Sequence, residues 1–200
     1  MKLTIHNMKF LVSIALLSLG CVALAENLPG CKNVNGLAKF DFNSFAGLQY
    51  RFKLVPDIED TKPFVDSTLT FSQVHNSWYI VLNGNLKNGS QSNTEYVVDK
   101  VNGAQILQTQ ISGGAPNSVR RAYTVIAYQP NRYALLYLCG KELSTKYPGV
   151  DLRFVILFGN VRLTKEEFSA ISAADKKQNF QGKFRVIGSK RIVDLSTGDE

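Results

Sequence analysis

The stretch that decides the fold is residues 94–111, TEYVVDKVNGAQILQTQI, in which two apolar-rich runs flank Asn102-Gly103. Asparagine and glycine both tolerate the positive φ angles of a type I′ turn, so this dipeptide is the strongest hairpin signal in the chain. The stretch therefore predicts two antiparallel strands, 94–99 and 104–111, joined by a tight turn.

The same pattern continues on both sides of this hairpin. Short runs rich in Val, Ile, Leu, Tyr and Phe alternate with turns that contain Gly, Asn or Pro, which is typical of an antiparallel all-β domain. Because most connections are tight, an eight-stranded up-and-down barrel is favoured over a Greek-key sandwich, whose crossovers need longer connections. The predicted strands are 48–54, 68–74, 78–83, 94–99, 104–111, 122–128, 133–139 and 152–160.

Three further segments complete the prediction. Apolar residues recur at helical spacing over 163–178, and Thr164 followed by Glu167 fits a capping box, so one amphipathic α-helix follows the eighth strand. A short ninth strand is predicted at 184–193. The long connection 55–67, rich in acids and containing two prolines, is interpreted either as a lid over one open end or as a plain solvated loop.

The first 25 residues have the features of a secretory signal peptide. Lys2 and Lys9 precede or flank a short apolar run, and Ala23-Leu24-Ala25 fits a cleavage site. We therefore predict a secreted, extracellular protein whose residues 26–200 form a single barrel domain. No later apolar run is long enough for a membrane helix, so an integral membrane protein is not expected. Lipid anchoring through Cys21 is the alternative.

Composition and charge restrict the function. The chain is 44% hydrophobic, which excludes disordered and collagen-like classes. Lys and Arg number 23 against 16 acidic residues, and the leader accounts for two of the 23, an excess too mild to imply a nucleic-acid partner. The basic pair Arg120-Arg121 is interpreted as a solvated strand end, with assistance to an anionic ligand as the alternative.

Two cysteines remain after the leader, Cys31 and Cys139. An even pair in an exported chain is expected to oxidise, so we predict one disulfide between them; two buried free thiols are the alternative. Either arrangement leaves no spare thiol for nucleophilic chemistry. His75 and two distant cysteines have no ligand spacing, so no metal site is predicted.

Three ordered blocks of the sequence resemble the lipocalin family. Cys31 precedes the first block, residues 40–50 (FDFNSFAGLQY), which is similar to the family's entry segment and first strand. Residues 131–139 (NRYALLYLC) are similar to the family's seventh strand, whose terminal cysteine pairs with one before the first strand. The third block is an apolar strand followed by Asn160 and the capped helix. The resemblance implies an eight-stranded barrel that holds one small hydrophobic molecule.

The sequence also departs from the family pattern at the closed end of the barrel. Gln49 stands at the family's tryptophan, Gly159 at the arginine that stacks on it, and 128–130 at a Thr-Asp-x motif. We therefore expect a floor packed in another way, with Arg162 or Phe184 as candidates. The family's alternation would also turn Gln49 and the other polar residues of the first strand inward, a conflict that a β-bulge would resolve.

The resemblance supplies most of the candidate ligand-binding residues, which lie on the sixth, seventh and eighth strands with Arg153 at the rim. Leu69 and Phe71 are added from the apolar run, and Trp78 either covers the ligand or is an ordinary core aromatic. Tyr123 is the candidate polar handle, or else bonds to a neighbouring backbone group. The full set is Leu69, Phe71, Trp78, Tyr123, Val125, Ala134, Leu136, Leu138, Arg153, Val155 and Leu157.

The favoured function is a secreted carrier or sequestering protein for a fatty acid, retinoid, bilin, steroid or similar molecule. The alternative is a secreted interaction or inhibitor protein that uses the barrel loops and needs no small ligand. An enzyme is not expected, and no cofactor is predicted beyond a bound lipid or pigment. Asn88, in the sequon Asn88-Gly89-Ser90, is a predicted glycosylation site. An open apolar cavity would favour the carrier, and a filled barrel the alternative.

Overall fold

The computed structural model describes residues 28–195, so the predicted signal peptide at 1–25 lies outside the described residues. Within that range there are three α-helices and a short 3-10 turn at Glu59–Thr61. The helices are α1 (Phe42–Phe45), α2 (Lys141–Lys146) and α3 (Lys165–Lys176). The strands are β1 (Gln49–Pro56), β2 (Phe64–Val74), β3 (Ser77–Leu86), β4 (Gln91–Asn102), β5 (Gln105–Ser112), β6 (Ala115–Gln129), β7 (Tyr133–Cys139), β8 (Leu152–Phe158), β9 (Phe184–Val186) and β10 (Ile192–Val193).

The first eight strands form a closed barrel. Each pairs antiparallel with the next, and β8 returns to pair with β1. β9 and β10 extend the sheet from the last residues of β1. The predicted fold class, an eight-stranded up-and-down barrel with a helix near the C-terminus, is confirmed.

Two predicted segments differ from the observed elements. β2 begins at Phe64, so the predicted connection over 55–67 shortens to residues 57–63. The predicted ninth strand at 184–193 is wrong as a single strand, because a turn separates β9 from β10. Gly188 occupies that turn at φ +72°, and its Cα lies against the Val65 carbonyl where a side chain would clash.

The first strand does not follow the family's alternation, and its β-bulge comes only after Gln49 and Arg51 have already turned outward. Tyr50 and Phe52 belong to the core inside the barrel, whereas Leu54 belongs to the outer core and Val55 again to the inner one. The pairing of β1 with β8 shifts register between Phe52 and Leu54. The polar residue Gln49 is exposed, so the family's alternation does not hold at the start of this strand.

The closed end of the barrel is filled by aromatic rings. Phe45 of α1 is fully buried; its ring stacks on Tyr50 at 5.0 Å and meets Phe71 and Tyr128 at 5.1 and 5.4 Å. The Tyr50 hydroxyl donates to the Phe45 carbonyl at 3.0 Å. Burial raises the pKa of Tyr50, so the hydroxyl stays neutral. This aromatic cluster closes the floor.

Neither residue suggested for the floor takes that position. Arg162 is exposed, and its carbonyl accepts a hydrogen bond from Arg132. Phe184 lies in the outer core instead. The floor could not be assigned from family positions because this chain uses α1, which immediately precedes β1, in place of a tryptophan–arginine pair.

A second core lies between the outside of the barrel and α3. Phe168 and Ile171 of the helix pack in one cluster with Leu135 of β7. The predicted capping box is present: Thr164 accepts from the Glu167 amide at 3.2 Å, and the Glu167 carboxylate accepts from the Thr164 amide at 2.8 Å. This core determines which face of β7 and β8 points away from the barrel interior.

The predicted disulfide is confirmed. Cys31 and Cys139 are bonded, with their Cα atoms 5.2 Å apart and 108 residues of sequence separation. The bond ties the segment before α1 to the end of β7, next to the start of α2. Neither cysteine within the described range is a free thiol.

Candidate functional site

A cavity of about 280 Å³ lies at the end of the barrel opposite the aromatic floor. The connection between β1 and β2 and helix α2 border this end. Most of the wall is apolar side chain from the barrel strands, namely Phe52, Val55, Leu82, Leu138, Leu152 and Phe154. Leu143 of α2 contributes from above, so the helix forms part of the roof.

An ion-pair cluster joins the two segments at the mouth. The Asp60 carboxylate, in the connection between β1 and β2, accepts hydrogen bonds from the Lys146 ammonium and the Tyr147 hydroxyl at the end of α2. The hydrogen bond from Lys146, followed by that from Tyr147, lowers the pKa of Asp60. These contacts hold the connection against the helix beside the cavity.

A polar wall interrupts the apolar lining on β4 and β6. The Nε of Arg121 donates to Glu142 of α2 at 2.5 Å, and the guanidinium also donates to the Tyr96 hydroxyl. The guanidinium carbon stands 5.4 Å from the centre of the Tyr96 ring, a cation–π contact. Burial raises the pKa values of Tyr96 and Tyr123, so both phenols are neutral at physiological pH.

Two of the predicted ligand-binding residues, Tyr123 and Leu138, line this cavity. Trp78 is half-buried at the closed end, with its ring 5.5 Å from Phe42, and does not reach the cavity, which matches the core-aromatic alternative. The others on inner faces pack toward the closed end as part of the inner core, namely Leu69, Phe71, Val125, Ala134 and Leu136.

The orientation predicted for Arg153, Val155 and Leu157 is wrong. Directly opposed residues of antiparallel strands point to the same face, and the inward-facing Leu136 and Leu138 lie opposite Phe154 and Leu152. The even-numbered residues of β8 therefore face the barrel interior. Val155 and Leu157 are buried in the outer core.

Arg153 is buried outside the barrel, not at its rim. Its Nη1 donates to Asp175 of α3 at 2.5 Å, and its guanidinium carbon lies 4.5 Å from the Phe184 ring centre and 5.3 Å from that of Phe180. It is the one charged residue of β8. Alternation counted from this polar position, rather than from the family pattern, gives the observed orientation of the strand.

Sequence patterns contain little signal for the polar residues at the mouth. Asp60, Glu142 and Lys146 lie in or after connections, where strand alternation carries no information about direction. Arg121 was interpreted as a solvated strand end, but it lies two residues before Tyr123 on the inner face of β6 and lines the cavity. Its inward direction follows from the alternation already assigned to Tyr123 and Val125.

The predicted glycosylation site lies in the turn between β3 and β4. Asn88 is exposed, and its side-chain oxygen accepts from the amide and hydroxyl of Ser90 at 3.0 and 2.7 Å. The Lys87 amide donates to the Pro63 carbonyl at 2.9 Å, which places this turn at the cavity end of the barrel.

No protein-family model matches the sequence, and no curated protein matches it significantly. Solved structures do match the fold. A tryptamine complex of the amine-binding protein of Rhodnius prolixus is 12% identical, with a TM-score of 0.59 over 84% of this chain and 87% of that chain. The allergen Per a 4 from cockroaches is 9% identical, with a TM-score of 0.58 over 75% and 88%.

Insecticyanin from the tobacco hornworm Manduca sexta is 16% identical, with a TM-score of 0.56 over 76% of this chain and 80% of that chain. These similarities show that the chain has the lipocalin fold, as the three sequence blocks predicted. No helix within residues 28–195 is long and apolar enough to cross a membrane.

Proposed function

We propose that this lipocalin-fold chain is a secreted carrier or sequestering protein for one small, largely apolar molecule. The observation that carries the proposal is the unfilled apolar cavity of about 280 Å³ above a floor of packed aromatic rings. A ligand in this cavity removes its own apolar surface and that of the wall from water, at roughly 25 cal/mol per Å². Burial is therefore the main source of affinity.

The size of the cavity favours a compact ligand. Pockets for drug-sized molecules span about 300–1,000 Å³, and this one, at about 280 Å³, is just below that range. A medium-chain amphiphile or a single-ring compound suits it better than a large pigment. The amine-binding protein of similar fold supports this scale, because it forms a complex with tryptamine, which is a compact molecule.

A cavity-filling substitution tests the proposal. Leu82→Trp places an indole in the cavity, whereas Val81→Trp places the same ring on the opposite face of the same strand. We expect saturable, one-to-one binding of the apolar fluorophore N-phenyl-1-naphthylamine to the unmodified protein, at least tenfold weaker binding to Leu82→Trp, and unchanged binding to Val81→Trp. If the unmodified protein binds neither this probe nor a broad panel of apolar compounds, the carrier function is wrong and the loop-scaffold alternative replaces it.

Export is the second part of the proposal. The leader at residues 1–25 and the Cys31–Cys139 disulfide support cleavage, secretion and a mature single domain over 26–200. When the full chain is expressed in a eukaryotic secretory host, the protein recovered from the culture medium should start at Glu26. Glycosidase treatment should lower its mass, and Asn88→Gln should abolish that change. Intracellular retention with residues 1–25 intact would contradict the proposal.

A further inference from the structure

The polar wall beside the cavity is rich in hydrogen-bond donors. Arg121 projects inward from β6, and its side chain is 20% exposed. A guanidinium has five N–H groups; Glu142 takes one and the Tyr96 hydroxyl takes another. Three N–H groups of Arg121 have no acceptor within residues 28–195. A partly buried cation with unused donors beside an apolar cavity favours an anionic partner.

Two neutral polar side chains lie beside Arg121, and one of them, Gln108, is unsatisfied. Gln108 of β5 lies directly opposite Arg121 on the same face of the sheet, is 1% exposed, and neither its amide nitrogen nor its oxygen has a partner in the described part of the chain. Tyr123, 2% exposed, lines the cavity with its phenol two residues along β6 from Arg121. Buried polar groups are normally paired, so the Gln108 amide leaves an unused N–H donor next to those of Arg121.

We propose that Arg121, with Tyr123 beside it on the cavity wall, forms a carboxylate-binding subsite, and that the ligand is a small amphiphile with an apolar tail and a carboxylate head. Glu142 occupies the subsite in the free protein and gives way to the head group. Arginine binds a carboxylate through two parallel N–H donors, an arrangement that Glu142, reached through Nε alone, does not complete. The inference rests on the proposed carrier function and names the ligand class of the same cavity.

The Glu142 carboxylate suggests the opposite ligand chemistry, because it could pair with the amine of a cationic head group. Its side chain is 40% exposed and sits on α2 above the cavity, whereas Arg121 is half as exposed and lies within the barrel wall. Both side chains line the cavity, but Arg121 is the less exposed and has N–H groups that Glu142 does not occupy. An anionic head is favoured on this ground, and an amine becomes an outcome of the test.

Calorimetric titration with decanoate, 1-decanol and decylamine separates these cases, because the three share one tail. We expect decanoate to bind the unmodified protein most tightly. Arg121→Gln should weaken decanoate binding about tenfold or more and leave decanol binding within twofold, since only the acid loses a charged hydrogen-bond pair. Glu142→Gln should raise decanoate affinity severalfold by removing the competing carboxylate. Arg120→Gln, on the outer face next to Asp99, is the matched control and should change neither ligand.

Two outcomes overturn the subsite: tighter binding of decylamine than of decanoate, or an acid-to-alcohol affinity ratio that is the same in Arg121→Gln as in the unmodified protein. If Arg121→Gln does not fold, the test rests on Glu142→Gln alone. The proposal is then contradicted if Glu142→Gln binds decanoate no more tightly than the unmodified protein does. Failure of the unmodified protein to bind all three compounds contradicts the carrier function itself. Binding of decanol without preference for decanoate contradicts only the subsite.

Discussion

At the scale of single residues, Phe45 has a larger role than its position in a four-residue helix suggests. It is fully buried and contacts three other aromatic rings at the closed end. Phe45→Ala should lower the free energy of unfolding by about 3–5 kcal/mol, because a phenyl ring is lost from a site that cannot collapse around the gap. Urea denaturation measures this. Phe42→Ala, a half-buried neighbour, should cost clearly less, and an equal or smaller cost for Phe45→Ala would contradict the assigned floor.

At the scale of elements, α3 is attached to the barrel by two ion pairs. Arg132 donates two hydrogen bonds, of 2.7 and 2.8 Å, to Glu167 in the first turn of α3. Arg153 donates one to Asp175 in the last turn of α3. Arg153→Met should destabilise the protein by about 3–5 kcal/mol, because it leaves a buried, unpaired carboxylate. The double variant Arg153→Met, Asp175→Leu should recover much of that loss. Chemical denaturation of the single and the double variant measures this recovery. If the two variants are equally unstable, the pairing role of Arg153 and Asp175 is contradicted.

The Arg132–Glu167 pair predicts a pH dependence of stability. The hydrogen bond from Arg132, then that from the Thr164 amide, lowers the pKa of Glu167 below its ordinary value of 4.5. A carboxyl with a lowered pKa contributes stability that is fully present above 4.5 and is lost as the pH falls through its folded value. The difference in unfolding free energy between the unmodified protein and Glu167→Gln should therefore be constant near pH 7 and shrink in acid. A difference that grows in acid would have the wrong sign.

The elements show where sequence patterns suffice. β7 occupies the predicted 133–139, and the capping box of α3 follows from Thr164 and Glu167, because local periodicity and capping chemistry determine both. The orientation of β8 did not follow, since residues 154–158 are all apolar and its two faces contact different cores. The turn that splits β9 from β10 contains Gly188 at positive φ, and the close approach of the distant Val65 carbonyl to this glycine is a tertiary contact that no local pattern contains.

At the scale of the whole molecule, the disulfide closes most of the barrel sequence into one loop. A loop of about 100 residues is worth about 4–5 kcal/mol in the chain-entropy treatment, because the crosslink restricts the unfolded chain, and Cys31 and Cys139 are 108 residues apart. The variant Cys31→Ala, Cys139→Ala should therefore have a free energy of unfolding lower by about 4–5 kcal/mol. It should unfold at a correspondingly lower urea concentration. Unchanged stability would contradict the bond, and non-reducing peptide mapping provides the control.

The cavity itself was only partly predictable from the sequence. Barrel closure implies an interior, and alternation places Tyr123 and Leu138 on it. Which end is filled depends on α1 and its aromatic contacts, and which charges meet at the mouth depends on how Asp60 and Glu142 converge from separate connections. Both depend on tertiary contacts that the sequence pattern does not contain. The cavity therefore lies at the end covered by α2, whereas the predicted residue Leu136 packs toward the closed end.

The most direct test of the central claim is methyl NMR of the isotope-labelled protein titrated with N-phenyl-1-naphthylamine. Ring currents from the probe shift only the methyl groups close to it. We predict the largest shifts at Val55, Leu82, Leu138 and Leu152 around the cavity, and small shifts at Leu69, Val125 and Leu136 toward the floor and at Val155 and Leu157 outside the barrel. Shifts centred on the floor or on the outer face would contradict a binding cavity beneath α2.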